Sequence, residues 1–489
     1  MAVPQQSGET AGVAVTGGEE PLYAPHKKIY PKAVSGRFRT IKTALLIVTL
    51  GIYYLLPFVR WNRGINAPDQ AVLIDFPSRR FYFFFIEIWP QEVYYITGLL
   101  IIAAVTLFLM NAVAGRIWCG YLCPQTVWTD LFLFVERKIE GDRVQRIALD
   151  SASWTPGKVL KKVSKHFIWI VIAWWTGGVW VLYFADAPTL VKELATFQAP
   201  AIAWIAIGIL TFTTYSLAGL MREQVCIYMC PWPRIQAALT DEHALNVTYR
   251  YDRGEPRYSL KKAEHQRGAG LPAGDCIDCN QCVWVCPTGV DIRNGNQLDC
   301  IQCGLCIDAC DDVMKKIGRP QQLIAYDNDI NIRRRAEDLP NAYRLLRTRT
   351  VLYAVIIALV GAIMIFTLST RSEVGISLIH DRNPVFVRLK DGAVRNAYTI
   401  RVANKQLERR TFRISIEGFA RGNYEIVGVQ TNSIGEMIVE VGPDQTQEFR
   451  LLITNYAELP REASIAIRAR ITDVKTGQTA AASGYFQGP

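Results

Sequence analysis

Cys276, Cys279, Cys282 and Cys286 are followed by Cys300, Cys303, Cys306 and Cys310, so the spacing C-x2-C-x2-C-x3-C occurs twice in close succession. Soft thiolates at this double spacing are the ligands of two [4Fe-4S] clusters, with the fourth cysteine of each run serving the other cluster. The expected sets are therefore crossed: Cys276, Cys279 and Cys282 with Cys310, and Cys300, Cys303 and Cys306 with Cys286. The chemistry implied is one-electron transfer. Pro287 follows the first run as the pattern asks, whereas Asp311 stands in the second proline's place without replacing a ligand. Zinc knuckles or a disulfide framework are the bland alternatives, and the doubled four-cysteine spacing argues against both.

The other four of the chain's 12 cysteines form a second constellation, Cys119 and Cys123 in one segment and Cys226 and Cys230 in another. Both segments read C-x3-C-P with a tyrosine between the cysteines, Tyr121 and Tyr228, which is the signature of an internal repeat. A four-residue step places each pair on one side of a helical turn, and two such turns could meet as a four-thiolate site. Soft thiolates select Cu(I), zinc or iron–sulfur clusters, and the thioethers of Met229 and Met221 favour copper. Three readings stay open: a redox copper site, a third iron–sulfur or zinc centre, and structural thiols at helix ends. A haem is disfavoured, because there is no C-x-x-C-H run and of five histidines only His166 falls at an apolar stretch. His243 is a weak candidate ligand, with an ordinary loop histidine the commoner explanation.

The elements that must position these cysteines are largely apolar. Mean hydropathy is +0.11, and charge-free stretches run Thr43–Val59, Val93–Gly115, Phe167–Ala185, Leu194–Met221 and Thr350–Thr370. Each approaches the ~20 residues that span a bilayer. Five spans place the two termini on opposite sides. The first 40 residues, polar and Gly-rich, are expected to form a disordered cytoplasmic tail and not a cleavable signal. Arg116, Arg137, Lys138, Arg143, Arg146, Lys158, Lys161, Lys162 and Lys165 lie between the second and third stretches, against Lys192 alone in Asp186–Glu193. That bias puts the amino terminus inside. The loop from Arg60 to Glu92 dissents with Arg60, Arg63, Arg79 and Arg80, but its aromatic Phe81–Phe85 and Trp89 read as an interfacial belt. The net charge of +10 then reflects membrane topology, and no nucleic-acid motif accompanies it.

After Arg371 the pattern changes to period-two alternation, as in Tyr398-Thr399-Ile400-Arg401-Val402, with seven or eight strands expected in an immunoglobulin-like sandwich. This tail has no cysteine, so it reads as an interaction or dimerisation module. The fold expected is multi-domain: a five-span α-helical membrane bundle, an inserted cytoplasmic two-cluster ferredoxin domain and a C-terminal all-β immunoglobulin-like sandwich. Its expected segments are the tail 1–40, spans one to four with both C-x3-C-P motifs in 41–250, the ferredoxin domain 251–345, the fifth span 346–370 and a periplasmic domain 371–489.

The order of spans, the paired C-x3-C-P motifs, the segment Tyr251-Asp252-Arg253-Gly254-Glu255-Pro256-Arg257, the double cysteine run and the cysteine-free tail resemble the FixG/RdxA/CcoG family of cytochrome oxidase accessory proteins. The resemblance covers nearly the whole chain from about Pro31. Its C-x3-C-P motifs are also similar to those of the membrane polyferredoxins of nitrate and nitrous oxide respiration. It implies a bacterial inner-membrane reductase that converts Cu(II) to Cu(I) for assembly of cbb3-type cytochrome c oxidase. Two [4Fe-4S] clusters would relay electrons from a cytoplasmic donor, and Cys119, Cys123, Cys226 and Cys230 would handle copper catalytically, with Met229 a weak further ligand. Oxidase subunits or assembly factors, and a second copy of the chain, are the partners implied. Two rivals remain: a quinol-linked polyferredoxin conduit, and a non-redox oxidase maturation scaffold. Arg253 and Arg257 are candidates for fixing the ferredoxin against the motif face, with a solvated charged turn the commoner role.

Overall fold

A computed structural model of the chain describes residues 28–64, 67–406, 408–418, 422–429, 437–456 and 464–488. Among the described residues, five helices are long and apolar enough to cross a membrane: Arg37–Phe58, Tyr94–Ala114, Pro156–Leu182, Ala201–Met221 and Thr348–Ser369. Their ends follow local chemistry. Gly115 closes the second span at φ +52°, a backbone state that costs glycine little. Thr155 caps the third, its hydroxyl accepting from the Lys158 N–H, with Pro156 at the first helical position.

Two expectations are corrected at these ends. The third helix begins well before the apolar stretch at Phe167 and carries its lysines onto helix Pro124–Glu140, where Lys162 and Lys165 each approach Glu140 to 2.9 Å. Glu136 and Glu140 are buried there, and Arg222 pairs with Glu136 at 2.5 Å. Buried carboxylates persist only when paired in this way. The tail boundary at residue 40 falls inside the first helix. Residues 1–27 lie outside the described residues, while Lys32 donates its N–H to the Trp284 carbonyl (2.7 Å) and the N–H groups of Phe38 and Arg39 are held by Asp308.

The inserted domain opens with β4 (Asn246–Tyr249), which pairs antiparallel with β5 (Ile324–Asp327), so it starts slightly before Tyr251. Both cysteine runs lie between these strands. The domain seats on one end of the helices: Asp308 accepts from the N–H groups of Phe38 and Arg39 on the first span, and at the end of the second Gln302 accepts from the Arg116 N–H (2.8 Å) and the Leu298 carbonyl from its guanidinium, while Asp241, just before β4, pairs with Arg347 at the start of the fifth.

At the opposite end, β1 (Val72–Asp75), β2 (Arg80–Phe83) and β3 (Ile86–Ile88) form a three-stranded sheet in the loop expected to be an interfacial belt. Phe85 is exposed, but Tyr82 and Trp89 are buried, and Trp89 carries the Arg80 guanidinium at 4.0 Å. Two of the dissenting arginines of that loop are ion-paired, Arg60 with Asp69 and Asp186 and Arg80 with Glu87 and Asp444, and Arg63 donates to four backbone carbonyls.

The C-terminal domain is a sandwich. One sheet holds β6 (Val374–His380), β7 (Val387–Arg388), β8 (Val394–Asn404), β10 (Gly422–Ile426) and β12 (Gln445–Asn455); the other holds β9 (Arg410–Glu417), β11 (Met437–Val441), β13 (Ser464–Asp473) and β14 (Thr479–Gln487). Alternate residues such as Tyr398, Ile400 and Val402 of β8 meet Phe412, Ile471 and Phe486 in the core, as half-buried strands require.

The sandwich docks on β1–β3 and the span ends through ions. Arg80 reaches Asp444, Lys405 pairs with Glu92, and Arg371 donates to the Glu87 carbonyl (2.8 Å). Burial, then the Asp444 charge, push the Glu87 carboxyl up to about 7. A carboxyl whose docked pKa is raised binds more protons when docked, so docking is expected to be tightest below 4.5, to weaken as pH rises from there to about 7 and to change little beyond it. Arg80→Ala leaves Asp444 and Glu87 buried without their cation and is expected to weaken docking by about 3 kcal/mol. Limited proteolysis near Arg371 across pH reads both effects. A cleavage rate that ignores the substitution would show that the ions do not hold the interface.

Candidate functional site

The two cysteine runs have the same backbone. Residues with positive φ flank the second cysteine of each, Asp278 and Asn280 around Cys279, Gln302 and Gly304 around Cys303. Left-handed residues interleaved with ordinary ones turn successive backbone N–H groups inward, a concave arrangement that suits an anionic group. Each loop then enters a helix, Gln281–Trp284 or Leu305–Lys316. Arg293 pins the first loop by pairing with Asp291 and Asp278.

Cys276, Cys279, Cys282 and Cys310 line one small cavity, and Cys286, Cys300, Cys303 and Cys306 line another. These are the crossed groupings expected from the spacing, and Cys282 borders both cavities. Among the described residues no three His, Cys, Asp or Glu converge as ligands of a single ion. Four thiols set apart around a cavity fit a cube that brings its own sulfides and do not fit one zinc ion. Burial pushes the Cys282 and Cys300 thiols up to about 12 and Cys306 well above its ordinary value, so cluster binding must displace protons. When bound, such clusters supply one-electron redox chemistry. Asp311, the departure from the pattern, accepts the Gln322 N–H (2.6 Å) and so closes the loop after the second run.

The C-x3-C-P motifs also share a local plan. Gly115 and Arg222, each four residues before the first cysteine of its motif, adopt positive φ and end a span. A short helical turn carries the motif, and the proline stands at the start of the next helix, as the first residue of Pro124–Glu140 or, as Pro231, just before Trp232–Leu239. The first turn is α-helical, whereas the second, Val225–Met229, is π-helical. The four thiols lie close enough to oppose one another's ionisation: Cys119 is affected by Cys123 and Cys230, and Cys226 by all three others. Burial is the larger cause and pushes Cys119 up to about 11 and Cys226 up to about 12.

The weaker candidates fall elsewhere. Met229 is exposed. The His243 N–H is bound by Asp241, and the His166 ring bonds Tyr215 and packs on Trp169. Arg253 does fix the ferredoxin, but internally, donating to the Pro320 and Gln321 carbonyls, while Arg257 pairs with Glu255.

The decisive geometry lies between the two constellations. Cys119 packs with Ile301, Cys303 and Leu305 in one buried group. Gly120 makes this approach achievable, since a Cβ there would stand 2.8 Å from the Ile301 oxygen and 3.0 Å from the Cys303 Cα. Tyr121 donates to the Cys303 carbonyl (2.9 Å), and Tyr326 donates to the neighbouring Gln302 carbonyl. Gln236 accepts from the Cys119 thiol at 3.2 Å. The repeated tyrosine was visible in the sequence, yet only Tyr121 faces the ferredoxin, and Tyr228 is exposed. Gly120, Gln236, Gln302 and Tyr326 carried no spacing signal.

The chain is 48% identical over 472 residues to the "Nitrogen fixation protein FixG" of Rhizobium meliloti, covering 91% of this chain and 89% of that protein. It is 50% identical over 477 residues to "Protein RdxA" of Cereibacter sphaeroides, covering 96% and 99% of the two chains. The chain belongs to the FixG/RdxA family. "Protein RdxB" of Cereibacter sphaeroides, 46% identical over 475 residues, covers 96% of this FixG/RdxA chain and 97% of its own. Family models match a 4Fe-4S dicluster domain at residues 221–329, a 4Fe-4S binding domain at 96–140 and the immunoglobulin-like fold of the FixG C-terminus at 364–489. A solved structure described as a FixG-related protein from Vibrio parahaemolyticus aligns with 24% of this chain and 95% of its own, at 20% identity and TM-score 0.20. The FixG/RdxA chain is thus an iron–sulfur protein of electron transfer with five membrane-length helices.

Proposed function

We propose that this FixG/RdxA chain accepts single electrons at its ferredoxin sites and passes them to Cu(II), supplying Cu(I) for assembly of cbb3-type cytochrome c oxidase. In this reading Cys276, Cys279, Cys282 and Cys310 hold one [4Fe-4S] cluster, and Cys300, Cys303, Cys306 and Cys286 hold the second. Copper is the substrate, met at Cys119, Cys123, Cys226 and Cys230. The observation that carries the proposal is the packing of the turn Cys119-Gly120-Tyr121 on the Cys303 backbone. It supports a continuous route from the second cluster to a soft-thiolate site able to stabilise Cu(I).

The ferredoxin end is read as cytoplasmic and the sandwich as periplasmic, in a bacterial inner membrane. The excess of Lys and Arg between the second and third spans supports that orientation. A cytoplasmic carrier then feeds the ferredoxin, while the sandwich is free for oxidase subunits or a second copy.

A second reading keeps the same route but places a third cluster at the four C-x3-C-P cysteines. The match of residues 96–140 to a 4Fe-4S binding domain favours it, as does the lack of three thiols converging on one ion among the described residues. Iron analysis separates the two, about eight atoms per chain against about twelve. Anaerobic stopped-flow mixing of reduced protein with Cu(II) tests what they share. Cluster reoxidation should keep pace with Cu(I) formation; a protein that stays reduced in excess Cu(II) would favour the maturation scaffold.

A further inference from the structure

Between the first, third and fourth spans and the start of helix Pro124–Glu140 lies a cavity of about 370 Å³. That volume is in the range of small-molecule sites. Its walls are mostly apolar and include the rings of Tyr53, Trp128 and Trp180. One polar cluster interrupts them: the Tyr53 hydroxyl donates to the Thr176 carbonyl (2.8 Å), and the Trp128 indole N–H donates to the Thr176 hydroxyl (3.1 Å). Apolar walls with a few convergent polar groups are the usual character of a ligand site.

The space is not a packing failure between poorly matched helices. Gly177 brings the third and fourth spans so close that a Cβ would stand 3.0 Å from the Leu210 Cβ and 3.1 Å from the Ile207 oxygen, yet the cavity beside it stays open. The fourth span also turns π-helical at Tyr215–Met221, bringing Leu217 and Ala218 to the wall. Such turns recur at functional positions. Trp180 is 48% exposed on the outer face of the helices, so a molecule dissolved in lipid has an entry. Pro124, the residue after Cys123, forms part of the wall.

We propose that this cavity binds a membrane quinol and is a second electron entry that bypasses the ferredoxin. A flat ring suits indole and phenol walls, and the Tyr53 oxygen, whose proton is given to Thr176, is left to accept a bond from a quinol hydroxyl, whereas a lipid acyl chain would leave that acceptor unused. The electron acceptor rests on the copper reading above. The balance is QH2 + 2 Cu(II) → Q + 2 Cu(I) + 2 H+, with electrons leaving singly through the four-cysteine site beyond Pro124.

The test uses full-length protein in nanodiscs with decylubiquinone as probe, followed by quenching of tryptophan emission. Quenching should saturate, and Thr213→Phe, which fills the cavity, should weaken it at least about 10-fold with iron content unchanged. Trp128→Phe, a milder change that removes the N–H donor, should weaken it less. Unchanged binding in both variants, or equal displacement by a long-chain alcohol with no ring, would overturn the site. If decylubiquinol reduces ferricyanide through the protein but not Cu(II), the site stands and the copper reading fails.

Discussion

Replacing Gly120 with valine is expected to leave both ferredoxin sites filled and to slow electron delivery to the C-x3-C-P cysteines about 100-fold. The added carbons would meet the Ile301 oxygen and the Cys303 Cα and N, all within 3.1 Å of the first new atom. These are backbone atoms of a loop held in a left-handed turn, so they cannot swing aside as a long side chain would. The motif must instead back away, stretching the 2.9 Å bond from Tyr121 to the Cys303 carbonyl. Overpacking of this kind costs about 1–3 kcal/mol, too little to unfold a domain with its own core, whereas a misplacement near 1 Å can cost about 100-fold in rate. Transfer should therefore suffer more than stability. Dithionite reduction of the ferredoxin sites serves as the internal control, and normal Cu(II) reduction by the variant would remove this contact from the route.

The second large effect is expected from Cys226→Ser. Cys226 lies outside the packed group joining Cys119 to Cys303, so the ferredoxin contact should survive. Serine preserves size but replaces a soft sulfur with a hard oxygen, a poor partner for Cu(I) or iron. Loss of an outer-shell partner alone costs 10–100-fold at metal sites, so removal of a ligand should reduce copper reduction by at least about 100-fold. The iron count again divides the readings: it should stay at about eight if the four cysteines meet copper directly, and fall from about twelve toward eight if they hold a cluster. Undiminished copper reduction by the purified variant would exclude the four-cysteine site altogether.

The cysteine runs, apolar spans and strand alternation were legible because each is a local periodic signal. Which cysteines share a cavity was legible too, since the repeated spacing brings the last cysteine of each run to the other run's first three. What the sequence hid depends on pairing across distance. Lys162 and Lys165 read as loop charges because nothing local announces that Glu136 and Glu140 wait on another helix. Arg80 read as a stray positive charge because its partner Asp444 lies in the sandwich. Gly120 was hidden for another reason: its value lies in an absent side chain, and only the nearby Cys303 backbone gives that absence meaning.

The inserted domain is tied to the helices at Asp308, at Gln302 and at Leu298, and the segment through Lys32 crosses it as well. A redox domain on a flexible arm would deliver electrons only as often as it swung into contact, and thickening the solvent would slow it. Here no swing remains, so the internal step should run at a rate indifferent to viscosity and nearly so to salt, leaving arrival of the donor as the step that responds to both.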